Sequence, residues 1–271
     1  MKNKNHFNNL FLFLMAVFLI LIQAGMSGQG TVDKEAKTFQ FERPDKKNYP
    51  LISFSDLYCS FSFIDQKKLP MEIVGSEKSE EKYLLTDSDI VYLNQGKDNG
   101  LKEGEVFLVV EIGSKIKSPY KKEIKGYLLF KKGRVRIFDV LKDTSRAVVE
   151  KACGKVNVGQ HLIPFEEKET VMGRDLGFPD IIQKEEGREG RIIYLGEELV
   201  NIGKEDWALI DMGLESGIQI GDQLIIYKKN KLNEGIANSV VIDVQSQTCT
   251  IKILSCKDVI KEGYWVKKRS E

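Results

Sequence analysis

Histidine is nearly missing from this chain: there are two, His6 and His161, and the first lies in a segment that reads as removable. Histidine is the usual proton shuttle and metal ligand near neutral pH. A Ser–His or Cys–His nucleophile would therefore have to be built around His161 alone. The sequence also lacks H-E-x-x-H, C-x-x-C, G-x-S-x-G and any phosphate-loop pattern, which argues against zinc sites and against those hydrolase and nucleotide chemistries. Neither sign of charge is in excess. With 41 basic and 40 acidic residues, nothing global draws the chain to nucleic acid or to an anionic membrane. No apolar run reaches the roughly 20 residues of a membrane-spanning helix. These lacks predict a protein that is not an enzyme, without catalytic residues, metal or cofactor. Carboxylates are plentiful, however, so a carboxylate-dependent secreted hydrolase stands as a second alternative on composition.

The N-terminus combines Lys2 and Lys4, an apolar stretch from Leu10 to Ile22, and then the small residues Ala24, Gly25, Ser27 and Gly28. That order is the layout of a secretory signal peptide. Residues 1–27 are expected to be cut away, and the protein to be exported to the periplasm or cell surface. No integral membrane domain is expected unless the segment stays uncleaved. Residues 28–56 are polar and read as an extended spacer. Export makes disulfides possible among Cys59, Cys153, Cys249 and Cys256. Cys249 and Cys256 fall at opposite ends of one strand, about 23 Å apart at about 3.3 Å per residue, too far to bridge. Cys59–Cys153 is the one pair within the first domain, and free buried thiols are the expectation.

The most informative feature is an internal repeat. Asp89–Val110, DIVYLNQGKDNGLKEGEVFLVV, aligns without a gap on Asp206–Tyr227, DWALIDMGLESGIQIGDQLIIY. Gly96, Gly100, Leu101 and Gly104 fall on Gly213, Gly217, Ile218 and Gly221. The similarity continues from Arg136 to Cys153 against Val240 to Cys256, with Cys153 set on Cys256 through one gap. At the entries, CSFSFI from Cys59 is set against GRIIYL from Gly190. The segments 58–63, 89–93, 105–112, 134–140 and 145–151 are short, β-branched and aromatic, bounded by Gly, Asn and Asp, as in a small barrel. Three glycines spaced by four would each cost a helix about 1 kcal/mol, whereas in a turn they supply positive-φ positions. The eight motif residues are thus read as a structural turn, with Leu101 and Ile218 plugging one end of each barrel. Acids retained in both copies, such as Asp139 with Asp243 and Asp89 with Asp206, more simply report turns and caps than catalysis.

The predicted fold is all-β: two tandem small β-barrels of the SH3/OB-like kind, related by duplication, over residues 57–165 and 188–271. The charged, aperiodic stretch 166–187 reads as a linker. The first copy carries an insertion that the second shortens, a basic hairpin with Lys115, Lys117, Tyr120, Lys121, Lys122, Lys125 and Tyr127. It is the candidate binding element for an anionic glycan, a headgroup or an acidic protein face. A solvated hairpin whose lysines deter edge-to-edge pairing is the plainer reading.

The run D-x-V-Y-L-N-x-G-x-x-x-G-L-K-x-G-E, followed by SPYKKEIKGY and TSRAVVEKAC, resembles exported bacterial proteins in which paired small β domains accompany a lysin motif. It is also similar to the C-terminal domain of flagellar assembly protein T, and more distantly to the paired barrels of rod-shape-determining protein C. No lysin motif, and no heptad segment before the first barrel, is present in this chain. The resemblance implies an envelope location and a non-catalytic scaffold or adaptor whose partner is an envelope protein or a cell-wall component. The alternative is a peptidoglycan-binding module.

Overall fold

The computed structural model describes residues 49–77, 84–183 and 187–269; the expected signal peptide and the spacer as far as residue 48 lie outside them. The chain enters through β1 (Tyr49–Pro50), a one-turn helix α1 (Phe54–Tyr58) and β2 (Phe61–Ile64). Six strands follow: β3 (Met71–Ser76), β4 (Ile90–Leu93), β5 (Val106–Lys117), β6 (Lys125–Val140), β7 (Ser145–Ala152) and β8 (His161–Pro164). They close in the order β3-β4-β7-β6-β5-β8, with β2 added to the outside of β6. After β9 (Met172–Gly173), which pairs with β1, come β10 (Glu189–Leu195), β11 (Trp207–Ile210), β12 (Gln223–Lys228), β13 (Glu234–Val244), β14 (Cys249–Cys256) and β15 (Trp265–Lys268). They close as β10-β11-β14-β13-β12-β15, the same circuit. Closure leaves neither barrel an unpaired sheet edge.

The two circuits share hydrogen bonds at equivalent positions. Gly104 N–H donates to the Ile137 carbonyl at 2.8 Å, and Gly221 N–H to Val241 at 2.9 Å. The Asp89 and Asp206 carboxylates accept from Thr86 N and Gly203 N. Gly100 and Gly217 are left-handed, with φ of 84° and 75°. Gly96 and Gly213 differ from expectation. Their φ values are negative, and what they need is the missing Cβ, which at Gly96 would lie 2.5 Å from the Leu141 carbonyl oxygen.

Inward residues of successive strands form each core: Ile73, Val91, Val109, Ile137 and Val149 in the first barrel, and Ile192, Ile210, Ile226, Val241 and Ile253 in the second. Ile218 is fully buried there, whereas Leu101 is half-buried.

Four expectations are corrected. The counterpart of β10 is β3, not the segment at Cys59, which forms the end of α1 and the added strand β2. Cys153 N donates to Lys132 as Lys257 N does to Ile236, so Cys153 matches Lys257 with no gap, and Cys256 is one residue earlier. Cys59 and Cys153 form a disulfide, with Cα atoms 5.2 Å apart, while Cys249 and Cys256 are free. Residues 49–56 are not spacer: Leu51 and Ile52 are buried and α1 begins within them. The connecting stretch is likewise laid on the second barrel, where Gly235 N donates to Asp180 and Ile182 N to Asn233. Both barrels and this stretch belong to one compact unit.

Candidate functional site at the barrel junction

β5 and β6 run on past the first barrel as a two-stranded ribbon, paired as far as Lys117 with Lys125. Ser118 Oγ accepts from Tyr120 N and Lys121 N, both at 3.1 Å, which folds the tip back. The tip reaches the second barrel. Lys121 Nζ donates to the Asp211 carbonyl. Ile124 and Leu128 pack among Ile193, Tyr194 and Leu209. The Arg191 guanidinium lies between two rings, 4.2 Å from that of Tyr120 and 3.8 Å from that of Trp265. Of the seven hairpin residues singled out by sequence, Tyr120 and Lys121 therefore contact the chain's own second barrel. Lys115, Lys117, Lys122 and Lys125 are exposed, and Tyr127 is half-buried. The basic run just beyond them is matched by acids: Lys132 with Glu111, and Arg134 and Arg136 with Glu150.

Beneath the hairpin, α1 and β2 are wedged against β13 and β14. Ser53 and Asp56 cap α1 reciprocally, which aims the Asp56 carboxylate across the junction. It accepts from Trp207 Nε1 at 2.9 Å and from Lys252 Nζ at 2.8 Å. Burial works to raise the Asp56 pKa, but hydrogen bonds from Lys252, Ser53 and Trp207 outweigh it and hold the carboxyl below its ordinary 3.8. Burial likewise works against the Lys252 charge, and Asp56 with Glu205 more than restores it, leaving the ammonium pKa raised. A second buried cation crosses the other way. Lys131 Nζ lies 2.7 Å from Asp243 Oδ2 and donates to the Leu57 carbonyl at 2.8 Å. For Lys131 burial wins over Asp243, and its pKa is lowered. Thr250 Oγ1 donates to the Phe61 carbonyl at 2.9 Å. Around these polar links, Leu57, Leu108 and Leu129 meet Val240, Ile242 and Leu254. This contact explains why β13 is buried along nearly its whole length, on both faces.

A cleft of about 620 Å³ opens beside the junction, walled by Phe54, Phe130, Lys132, Lys151, Trp207 and the Cys59–Cys153 bridge. Glu197, on its rim, and Glu198 are both left-handed, with φ of 58° and 57°. Backbone of that kind costs about 1–3 kcal/mol per residue and needs surrounding structure to hold it. Among the described residues no group of three or more His, Cys, Asp or Glu is placed to hold a metal ion, and no helix is long and apolar enough to cross a membrane. Of the motif residues, Gly100, Gly104, Gly217 and Gly221 have left-handed backbone. Sequence reasoning missed Asp56, Lys131, Asp243 and Lys252. The fold and junction define a protein of two duplicated six-stranded barrels joined into one body. No protein-family model matches the chain, and no curated protein matches it.

Proposed function

We propose that this protein is a non-catalytic scaffold of the bacterial cell envelope, which holds two unlike barrel surfaces at one fixed spacing for envelope partners to assemble on. The single observation that carries the reading is the junction. Buried ion pairs, an apolar seam and a docked hairpin tie the barrels together, as a spacing device requires and two independent binding modules do not. The Cys59–Cys153 bridge supports export, because disulfides persist in oxidising compartments. The hairpin's use against the second barrel favours a protein partner over a wall glycan, since its tip is already engaged.

A reporter active only outside the cytoplasm, fused after residue 60, tests the location: activity is the expected result, and a reporter silent there but folded in the cytoplasm overturns it. Incubating the purified protein with insoluble peptidoglycan tests the partner class. The protein is expected to stay in the supernatant, and its retention in the pellet would replace this reading with a glycan-binding one.

A further inference from the structure

Because the barrels share so much of their bonding, the places where they part company are informative, and one of these is at an open end. In the second barrel that end is shut from within. Lys268 of β15 places Nζ 2.7 Å from Asp222 Oδ2 and donates to the Gly217 carbonyl at 3.3 Å, above the fully buried Ile218. The register of the first barrel puts Pro164 at the position of Lys268 and Pro70 at that of Glu189. Pairing of β3 with β8 starts at Met71 opposite Leu162. The preceding rung, Glu189 opposite Lys267 in the second barrel, has no counterpart, as expected where Pro70 offers no N–H. The seam gapes as a result. A cavity of about 540 Å³ lies there, walled by Pro70, Met71, Leu101, Phe107, Leu162 and Phe165. Glu105, the counterpart of Asp222, stands on its rim. Its carboxylate accepts from Lys102 N at 3.1 Å, as Asp222 accepts from Gln219 N. Among the described residues no ion pair engages Glu105. Arg136, across the sheet beside it, is turned to Glu150 and the Gly104 carbonyl.

The first barrel thus keeps the carboxylate and the glycine turn of this end but has lost the lysine that completes it in the second. We propose that the mouth of the first barrel takes a lysine side chain presented by a partner protein. The aliphatic stem lies along Leu101, Phe107 and Leu162, and the ammonium meets Glu105 and the Gly100 carbonyl as Lys268 meets Asp222 and Gly217. Apolar walls suit the four-carbon stem of lysine, and a carboxylate bordering an apolar cavity binds a cation better than one in open water. The proposal rests on the scaffold reading for the partner being a protein; the rest stands on the mouth itself.

The probe is the peptide acetyl-Ala-Ala-Lys-Ala-Ala-amide, titrated into the full chain while backbone and methyl NMR signals are followed. Saturable shifts at Leu101, Phe107 and Leu162 are expected, with affinity reduced about tenfold or more when norleucine replaces the lysine, and again in Glu105→Gln. Pro164→Lys gives the first barrel the second's own plug and is expected to abolish the shifts. Should that variant fail to fold, Glu105→Gln and the norleucine peptide decide the matter. Absence of shifts at the mouth, or equal binding of the norleucine peptide, or equal binding by Glu105→Gln, overturns the proposal. A cytoplasmic location would sink the scaffold reading yet leave these shifts in place, so the two failures are distinguishable.

Discussion

The carbonyl oxygen of Leu141 and the amide of Thr144 lie 2.5 and 2.6 Å from where a side chain on Gly96 would begin. Gln245 and Thr248 stand in the same places over Gly213. The obstruction is backbone on every side, locked by the Lys97 N–H to Leu141 and Leu214 N–H to Gln245 hydrogen bonds, so a methyl group cannot be relieved by turning a rotamer. Gly100 and Gly217 face open space, and alanine there meets only the cost of a left-handed backbone. Gly100→Ala is therefore expected to destabilise by about 1 kcal/mol, and Gly96→Ala or Gly213→Ala by about 3 kcal/mol. Urea denaturation of the three variants measures the order, and equal losses would mean that turn conformation, not close approach, fixes the motif.

At the scale of elements, homologous positions have been put to different uses. Asp139 at the end of β6 pairs with Arg146 in a partly exposed bridge, while its counterpart Asp243 receives Lys131 across the junction. Lys131→Met alone leaves Asp243 with the longer pair to the partly exposed Lys168, 3.6 Å away, and is expected to cost about 2 kcal/mol. Adding Asp243→Leu removes the half-satisfied carboxylate and returns stability to within about 1 kcal/mol of the parent. A double-mutant cycle by urea denaturation reads the coupling, and additive losses would show that the pair does not act as a unit. The barrels were legible in the sequence because glycine spacing and β-strand alternation are local signals, repeated twice in register. The junction was not. Lys131 sat in a run of lysines that reads as a solvated hairpin, and its acid is 112 positions away. Lys252 and Asp56 are separated by 196. β3 escaped notice for a related reason: MEIVGS mixes Glu72, Gly75 and Ser76 with its apolar residues, whereas β2 is the more apolar run and drew the assignment outside the barrel.

For the molecule as a whole, the question is what keeps two barrels at one spacing, and the Asp56 network supplies a titratable answer. The folded Asp56 carboxyl has its pKa depressed below 3.8 because Lys252, Ser53 and Trp207 favour the charged form despite burial. A depressed acid contributes stability that is complete above its unfolded pKa and disappears as pH falls through the folded value. Lys252 acts in the opposite direction on the pH axis. Its pKa is raised above 10.5, so its contribution is complete through neutrality and is lost only as alkali carries pH past the folded value. Between these limits the junction is closed. As pH falls through the folded value, which lies below 3.8, protonation of Asp56 leaves the Lys252 charge dependent on Glu205, which is largely exposed and worth little. Trp207 reports on the event, since its indole N–H donates to the same carboxylate, and Trp265 lies under the hairpin contact at Arg191. Acid titration is expected to shift the tryptophan emission and increase the radius of gyration before the strand signal in circular dichroism falls. Asp56→Asn should already show the loosened junction at neutral pH and lose the acid-dependent step at Trp207. If instead emission, radius and strand content change together in the parent, and Asp56→Asn leaves that transition where it was, the barrels are held by their apolar seam alone and the carboxylate is a passenger.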